Sequence, residues 1–199
     1  IDAAAQAGST GQDTVPSGVH PGCVSIMTIH RSKGLQFPVV FVADTARHFN
    51  AADTRQPVLL HREYGAGLRL RPEQGDLYKT AAYTALANAH AQETRSEQMR
   101  LLYVALTRAQ DKLILTVPLS SGKSAKPFAK AAAFLAAGAG ATLHQQANSF
   151  ADWLRAALLV HPDGGVLRQL SGNRELLFVQ TESTMAIKVC DDAVQLSEK

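Results

Sequence analysis

Apolar positions fall in separated runs along this chain, and the runs read as strands and helices in the order expected of an α/β domain. Val24 to Ile29 is a short β-branched run that predicts a strand, and Pro38 to Ala43 (PVVFVA) is continuously apolar. Continuous apolarity is what a strand buried on both faces of a parallel sheet requires, so the second run predicts such a strand. The polar stretch His30 to Gln36 between them predicts a loop or short helical turn. Val58 to Glu63 and Leu68 to Arg71, separated by Tyr64-Gly65-Ala66-Gly67, predict a hairpin with a Gly-rich turn. From Leu77 to Ala109 there is no Gly or Pro, which predicts one long helix or two joined near Ser96. Within it Met99, Leu102, Tyr103 and Leu106 recur at i, i+3, i+4 and i+7, a stripe that would seat the helix on the sheet. Asp111 to Val117 predicts a further strand, closed by Pro118.

Beyond this the pattern turns helical. Ser120 to Lys126 reads as a loop, and Pro127 to Ala137 as an Ala-rich helix ended by Gly138. Ser149 to Val160 predicts an amphipathic helix, capped by Ser149 and stopped by Pro162. Leu176 to Thr181 is a strand candidate, and the tail past Cys190 is polar. The first 22 residues, rich in Ala, Gly, Ser and Gln, read as a linker or disordered segment. The expected division is therefore a linker at 1–22, an α/β unit at 23–118 and a helical or mixed extension at 119–199.

Composition narrows the class. With 199 residues, 46% hydrophobic and 19% charged, the chain matches a globular protein with a real core rather than a disordered one. No apolar run approaches the roughly 18 residues of a membrane span. A net charge of +3 permits nucleic-acid binding without predicting it. Cys23 and Cys190 lie far apart and predict reduced thiols in a cytoplasmic protein. No two of the seven histidines stand at i, i+4, which gives no support to a His-based metal site. The chain opens Ile1-Asp2-Ala3, without Met and without the basic and apolar regions of a signal peptide, and so reads as a piece of a longer protein.

Two blocks concentrate candidate chemistry. In Ile26-Met27-Thr28-Ile29-His30-Arg31-Ser32-Lys33-Gly34-Leu35-Gln36-Phe37 a strand would run into a polar turn, where ligands bind at the carboxyl ends of parallel strands. Thr28, His30, Arg31, Ser32 and Lys33 offer hydroxyl, imidazole and cationic donors, and Gly34 lets backbone N–H groups approach a phosphate. On composition alone an ordinary polar turn, with a Gly for geometry, is the favoured account of them. In Glu97-Gln98-Met99-Arg100-Leu101-Leu102-Tyr103-Val104-Ala105-Leu106-Thr107-Arg108-Ala109, Arg108 falls in the last helical turn, on the face of Glu97 and Leu101. An Arg held there can project its planar fork toward a phosphate, but on spacing alone the favoured account is that it merely complements the helix dipole.

The first block resembles helicase motif V of superfamily 1 (T-[IL]-H-x-[SA]-K-G-L-E-F-P-x-V-[FI]), and the second resembles motif VI (E-E-x-R-L-x-Y-V-A-x-T-R-A). They stand in the family's order and at a separation similar to that of the AddA branch (ATP-dependent helicase/nucleases) of the UvrD/Rep/RecB superfamily. Arg47-His48-Phe49-Asn50, Leu59-Leu60-His61-Arg62-Glu63-Tyr64-Gly65 and Ser96-Glu97-Gln98-Met99-Arg100 resemble that branch as well. The likeness is dense over residues 24–117 and loose beyond, through Phe150-Ala151-Asp152-Trp153-Leu154. Two long motifs in register make a specific signal.

The resemblance implies the latter part of a RecA-like second motor domain in an ATP-dependent DNA helicase that translocates on single strands and unwinds duplex, in double-strand break repair. It implies an arginine finger at Arg108, a nucleotide contact at Gly34 and Gln36, and contacts to DNA phosphates from Thr28 and His30 with Arg31 and Lys33 nearby. It implies ATP with Mg²⁺, held mainly by a first motor domain, and an AddB-like partner subunit. No sequence G-x-x-x-x-G-K-[ST] occurs here, so the chain alone is expected to be inactive. Glu182, Lys188, Asp191 and Asp192 do not form a nuclease core. Position 36 is Gln where the family has Glu, which weakens the implied ribose contact. Two alternatives stay open: a UvrD-like helicase without nuclease, and a degenerate non-hydrolysing DNA-binding or scaffolding module.

Overall fold

A computed structural model of the chain describes residues 24–50, 53–73, 75–118, 126–173 and 179–190. The expected linker at 1–22, the expected loop through residue 125 and the polar tail past Cys190 lie outside them. Strand β1 (Phe37–Val42) is followed by the hairpin β2 (Val58–His61) and β3 (Gly65–Leu70), a two-residue strand β4 (Tyr78–Lys79), helix α1 (Ala81–Leu106) and strand β5 (Ala109–Leu115). Helices α2 (Lys126–Ala136), α3 (Gly140–Gln146), α4 (Phe150–Val160) and α5 (Gly165–Leu170) complete the order. The class is α/β, with β1 and β5 paired in parallel and β2, β3 and β4 in a separate antiparallel sheet.

The β1–β5 pair has a register shift between Phe37 and Val39. The residue between them, Pro38, has no N–H to give to a ladder. Val42 is buried at 7% exposure, but Val39 and Phe41 remain 46% and 66% exposed. The expectation of a strand covered on both faces is therefore corrected. Among the described residues β1 has β5 as its sheet neighbour, and nothing is layered over Val39 and Phe41. The strand expected at Val24 to Ile29 is also absent. Val24 and Ile26 are 91% and 98% exposed, and this run finds no strand to accept its backbone hydrogen bonds among the described residues. Residues 179–181 of the other strand candidate are irregular as well, while 176–178 lie outside the described residues.

The hairpin forms as expected, but its turn is Arg62 to Tyr64, and Gly65 and Gly67 lie inside β3. Gly67 is needed for close approach: a Cβ there would stand 2.6 Å from Tyr83 Cα on α1. Tyr83 and Leu86 of α1 are buried against Leu59 of β2. The Tyr83 hydroxyl reaches the Thr54 and Gln56 carbonyls at 2.7 and 2.9 Å, which ties the chain entering the hairpin to the helix. Thr80 caps α1 by accepting from the Tyr83 N–H at 3.1 Å. The long helical pattern is thus one helix, starting later and ending sooner than the sequence suggests. Of its expected stripe, Leu102 is buried with Met99 and Leu106 packed beside it, whereas Tyr103 is 69% exposed and Ala105 is buried instead.

The C-terminal helices build their own core from Phe128, Ala131, Ala132, Leu159 and Leu167. Ser149 caps α4 as expected, accepting from the Asp152 N–H at 3.3 Å, and Gly138 follows α2 with a left-handed φ of 70°. These helices are seated directly on the strand-bearing part. Trp153 of α4 packs with Leu102, Ala147 and Phe49, and the Ala151 N–H donates to the Thr45 carbonyl at 2.8 Å. Thr45, fully buried just past β1, donates its hydroxyl to the Thr116 carbonyl at 2.7 Å and so pins the ends of β1 and β5 together. No helix among the described residues is long and apolar enough to cross a membrane.

Candidate functional site

The turn before β1 is built from local hydrogen bonds. Thr28 accepts from the Arg31 N–H at 3.4 Å, starting a single 3-10 turn at His30–Ser32. The Ser32 hydroxyl donates to the Ile29 carbonyl at 2.7 Å, and Ser32 is the one buried residue of that turn. The Leu35 N–H donates back to the Ser32 carbonyl at 3.0 Å. Gly34 makes this reversal with φ of 82°, a backbone conformation that favours glycine. A Cβ at Gly34 would meet nothing within 4 Å, so its outer side is open space. His30, Arg31 and Lys33 are exposed on this turn, and their side chains make no hydrogen bond or ion pair among the described residues.

Because no strand precedes it among the described residues, the turn does not lie at a strand's carboxyl end, as the sequence suggests. It leads into the amino end of β1. The carboxyl end of α1 leads into the amino end of the neighbouring β5, so parallel pairing brings the two sequence blocks to one edge of the sheet. The first rung of that pairing aligns Phe37 with Ala109, and the Phe37 N–H donates to the Arg108 carbonyl at 2.9 Å.

Arg108 is the hinge between the blocks. The sequence places it in the last turn of the helix, but α1 ends at Leu106 and Thr107 is its C-cap, with φ −89° and ψ 6°. The chain must leave the helix there because Arg108 is already engaged at the edge of the sheet. The Arg108 side chain folds back over the helix end. Its Nε donates to the Val104 carbonyl at 2.9 Å, Nη2 to Thr107 Oγ1 at 3.0 Å and Nη1 to the Leu35 carbonyl at 3.0 Å. Of the five N–H donors of a guanidinium, these three bonds leave one on each Nη. Both readings of Arg108 thus have a physical basis: it complements the helix end, and it keeps two donors beside the Gly34 turn.

Gln36 sits one residue further along, exposed, with its Oε1 accepting from Gln110 Nε2 at 3.2 Å across the strand pair. Gly34, Gln36 and Arg108 are therefore brought to one edge, while Thr28, His30, Arg31 and Lys33 occupy the turn that leads to it. Three participants carry no strong sequence signal: the Leu35 carbonyl, Thr107 and Gln110. Backbone carbonyls are invisible in a sequence, Gln110 matters only through the parallel register, and Thr107 stands in the second motif without a contact that its spacing reveals. No group of three or more His, Cys, Asp or Glu that could hold a metal ion occurs among the described residues.

An edge rich in donors, with a left-handed glycine and a partly engaged guanidinium, suits the oxygens of a phosphate. Residues 10–120 match the UvrD-like helicase C-terminal domain. The AddA subunit of the ATP-dependent helicase/nuclease of Alkaliphilus oremlandii (strain OhILAs) is 39% identical over 157 residues, covering 78% of this chain and 12% of that protein. The protein of the same name from Pelotomaculum thermopropionicum (strain DSM 13744 / JCM 10971 / SI) is 41% identical over 157 residues, 76% of this chain and 12% of its own length. That from Lacticaseibacillus casei (strain BL23) is 37% identical over 185 residues, 88% of this chain and 15% of its own length. The chain spans only about 12–15% of the curated relatives it matches. It belongs to the family of UvrD-like helicase C-terminal domains.

Proposed function

We propose that this chain is the motif-bearing part of the second motor domain of an ATP-dependent DNA helicase of the AddA helicase/nuclease type. One observation carries the reading: the Arg108 guanidinium bonds to the Leu35 carbonyl at 3.0 Å with two N–H donors to spare. In an ordinary helix cap the cation answers only carbonyls at or beside one helix end. Here it also holds the turn whose outer side is open and cationic. The names of the relatives favour this reading over a UvrD-like helicase without nuclease.

In this reading ATP is the substrate, and it is held with Mg²⁺ mainly by a first motor domain. Arg108 stabilises charge on the transferring phosphoryl when the two domains close, a role of preorganised donors aimed where charge develops. The two remaining N–H groups can meet two phosphoryl oxygens at once, which a Lys ammonium would meet only as a point charge. Gly34 and Gln36 lie against the nucleotide, Gln36 as a neutral acceptor for a ribose hydroxyl. Thr28, His30, Arg31 and Lys33 contact phosphates of the single strand, which fixes position without reading sequence. Closure and opening around ATP then move the protein along the strand. Residues 119–199 extend the motor toward further domains, an AddB-like protein is the partner, and the setting is cytoplasmic double-strand break processing.

The test is ATP hydrolysis and unwinding by the full-length protein, with the 199-residue chain in parallel. The full-length protein is expected to hydrolyse ATP in a DNA-stimulated manner and to unwind duplex, and the chain alone to release no phosphate. A full-length protein that binds single strands without turning over ATP would replace this reading with the non-hydrolysing scaffold.

A further inference from the structure

The Arg108 side chain is long and flexible, and an Arg gives up much rotamer entropy when it is ordered. A finger that must be ordered anew in each cycle loses that free energy at the moment it is needed. The structure shows what removes the cost. The Nε–Val104 bond fixes the side chain along the helix end but leaves the guanidinium plane to be set by its outer nitrogens. One of these is fixed by a backbone carbonyl, Leu35, which belongs to the turn before β1. The other is fixed by a side chain, the Thr107 hydroxyl, at 3.0 Å.

Thr107 Oγ1 is itself anchored. It lies 3.0 Å from the Tyr103 carbonyl and 3.1 Å from the Val104 carbonyl, so its proton is directed into the helix end and its lone pairs face outward to Nη2. The hydroxyl thereby converts carbonyls at the end of α1 into an acceptor aimed at the guanidinium. We infer that Thr107 is a positioning residue for Arg108, setting the plane in which its two remaining N–H donors face a phosphoryl group. This rests on the proposed finger role of Arg108. A residue that merely ends the helix would need the same backbone but not the bond to Nη2.

The variants are Thr107→Val, which keeps the β-branched shape and removes the hydroxyl, and Thr107→Ser, which keeps the hydroxyl. Both are made in the full-length protein, alone and with Arg108→Ala, and read in DNA-stimulated ATP turnover. Hydrogen bonds to charged groups are of a strength that makes loss of this one about a ten-fold effect. Thr107→Val should lower kcat about ten-fold with KM for ATP within about two-fold, because the finger acts in the transition state. Thr107→Ser should restore most of the loss, and Thr107→Val should add nothing to Arg108→Ala. Full kcat in Thr107→Val, or a loss that adds to that of Arg108→Ala, would overturn the inference. If Thr107→Val does not fold, the Thr107→Ser and Thr107→Ala pair is read in the same way. Near-normal turnover in Arg108→Ala would instead remove the finger reading itself, so the two failures are distinguishable.

Discussion

Arg108 and Arg168 both fold back onto carbonyls at the end of a helix, yet one guanidinium is sealed in and the other opens on a turn. Arg168 of α5 donates to the carbonyls of Leu159, His161 and Pro162 at 2.9, 2.7 and 3.0 Å, and the residue is only 8% exposed. These three carbonyls lie at the end of α4 or in the turn after it. Arg108 also takes a carbonyl of the helix before it, but its second acceptor is the Thr107 hydroxyl and its third, Leu35, lies 73 residues away in sequence. The same local rule, a cation answering carbonyls at a helix end, serves stability in one region and leaves donors at a site edge in the other. Hydrogen bonds to a helix end therefore do not decide what an Arg does. Burial and the identity of the third acceptor do.

Substitution should separate the two most strongly at Arg108. In the full-length protein, Arg108→Ala should cut ATP turnover by roughly 10³-fold, the scale of an arginine finger, with nucleotide binding largely kept. Its melting temperature should barely move, since the residue is only partly buried. Arg168→Ala should do the reverse. It leaves buried carbonyls unanswered and should cost roughly 2–3 kcal/mol of stability, seen as a lower denaturation midpoint, with kcat per folded molecule unchanged. Equal effects of the two variants on both readouts would erase the distinction.

Smaller effects sharpen the edge around Arg108. Arg31→Ala and Lys33→Ala should weaken binding to all single strands alike. Each should flatten the plot of log affinity against log salt by about 0.7, the slope per phosphate contact on a single strand. A loss confined to particular sequences would count against a phosphate role. Gln36→Glu should lower KM for ATP several-fold, from a gain of roughly 1 kcal/mol, with kcat nearly unchanged. The Gln36–Gln110 bond at 3.2 Å tempers this, because the amide oxygen already has a partner across the strands. An unchanged KM would show that position 36 does not touch the nucleotide.

Much of this was legible before the structure. The β1 run, the hairpin, the long helix and the Ser149 cap each rest on local rules, and each forms. What failed were inferences that depend on neighbours. Val24 to Ile29 has the composition of a strand, but a strand needs a partner for its backbone, and none is present among the described residues. Tyr103 has the right spacing for the stripe of α1, yet α1 buries Tyr83 and Leu86 near its start and Leu102 and Ala105 near its end. At about 100° per residue those two sets point in directions that differ by roughly 100° around the axis, so no single stripe runs the helix. Helix α3 buries nothing and α5 is six residues long, so neither leaves a periodic trace. At the site, the motif residues were legible and their junction was not: the Leu35 carbonyl and Gln110 become visible only in the β1–β5 register, and the bond from Arg108 to Thr107 only once the side chain is seen folded over the helix end.

The central claim is that Arg108 acts through the planar fork of its guanidinium and not through its charge at a helix end. Arg108→Lys in the full-length protein tests it directly, because Lys keeps the charge and can still reach the carbonyls of α1. The account predicts a melting temperature close to that of the unsubstituted protein and DNA-stimulated ATP turnover at least about a hundred-fold lower, since an ammonium cannot meet two phosphoryl oxygens while held by Leu35 and Thr107. Near-normal turnover in Arg108→Lys would mean that charge suffices, and Arg108 would then be a helix cap like Arg168.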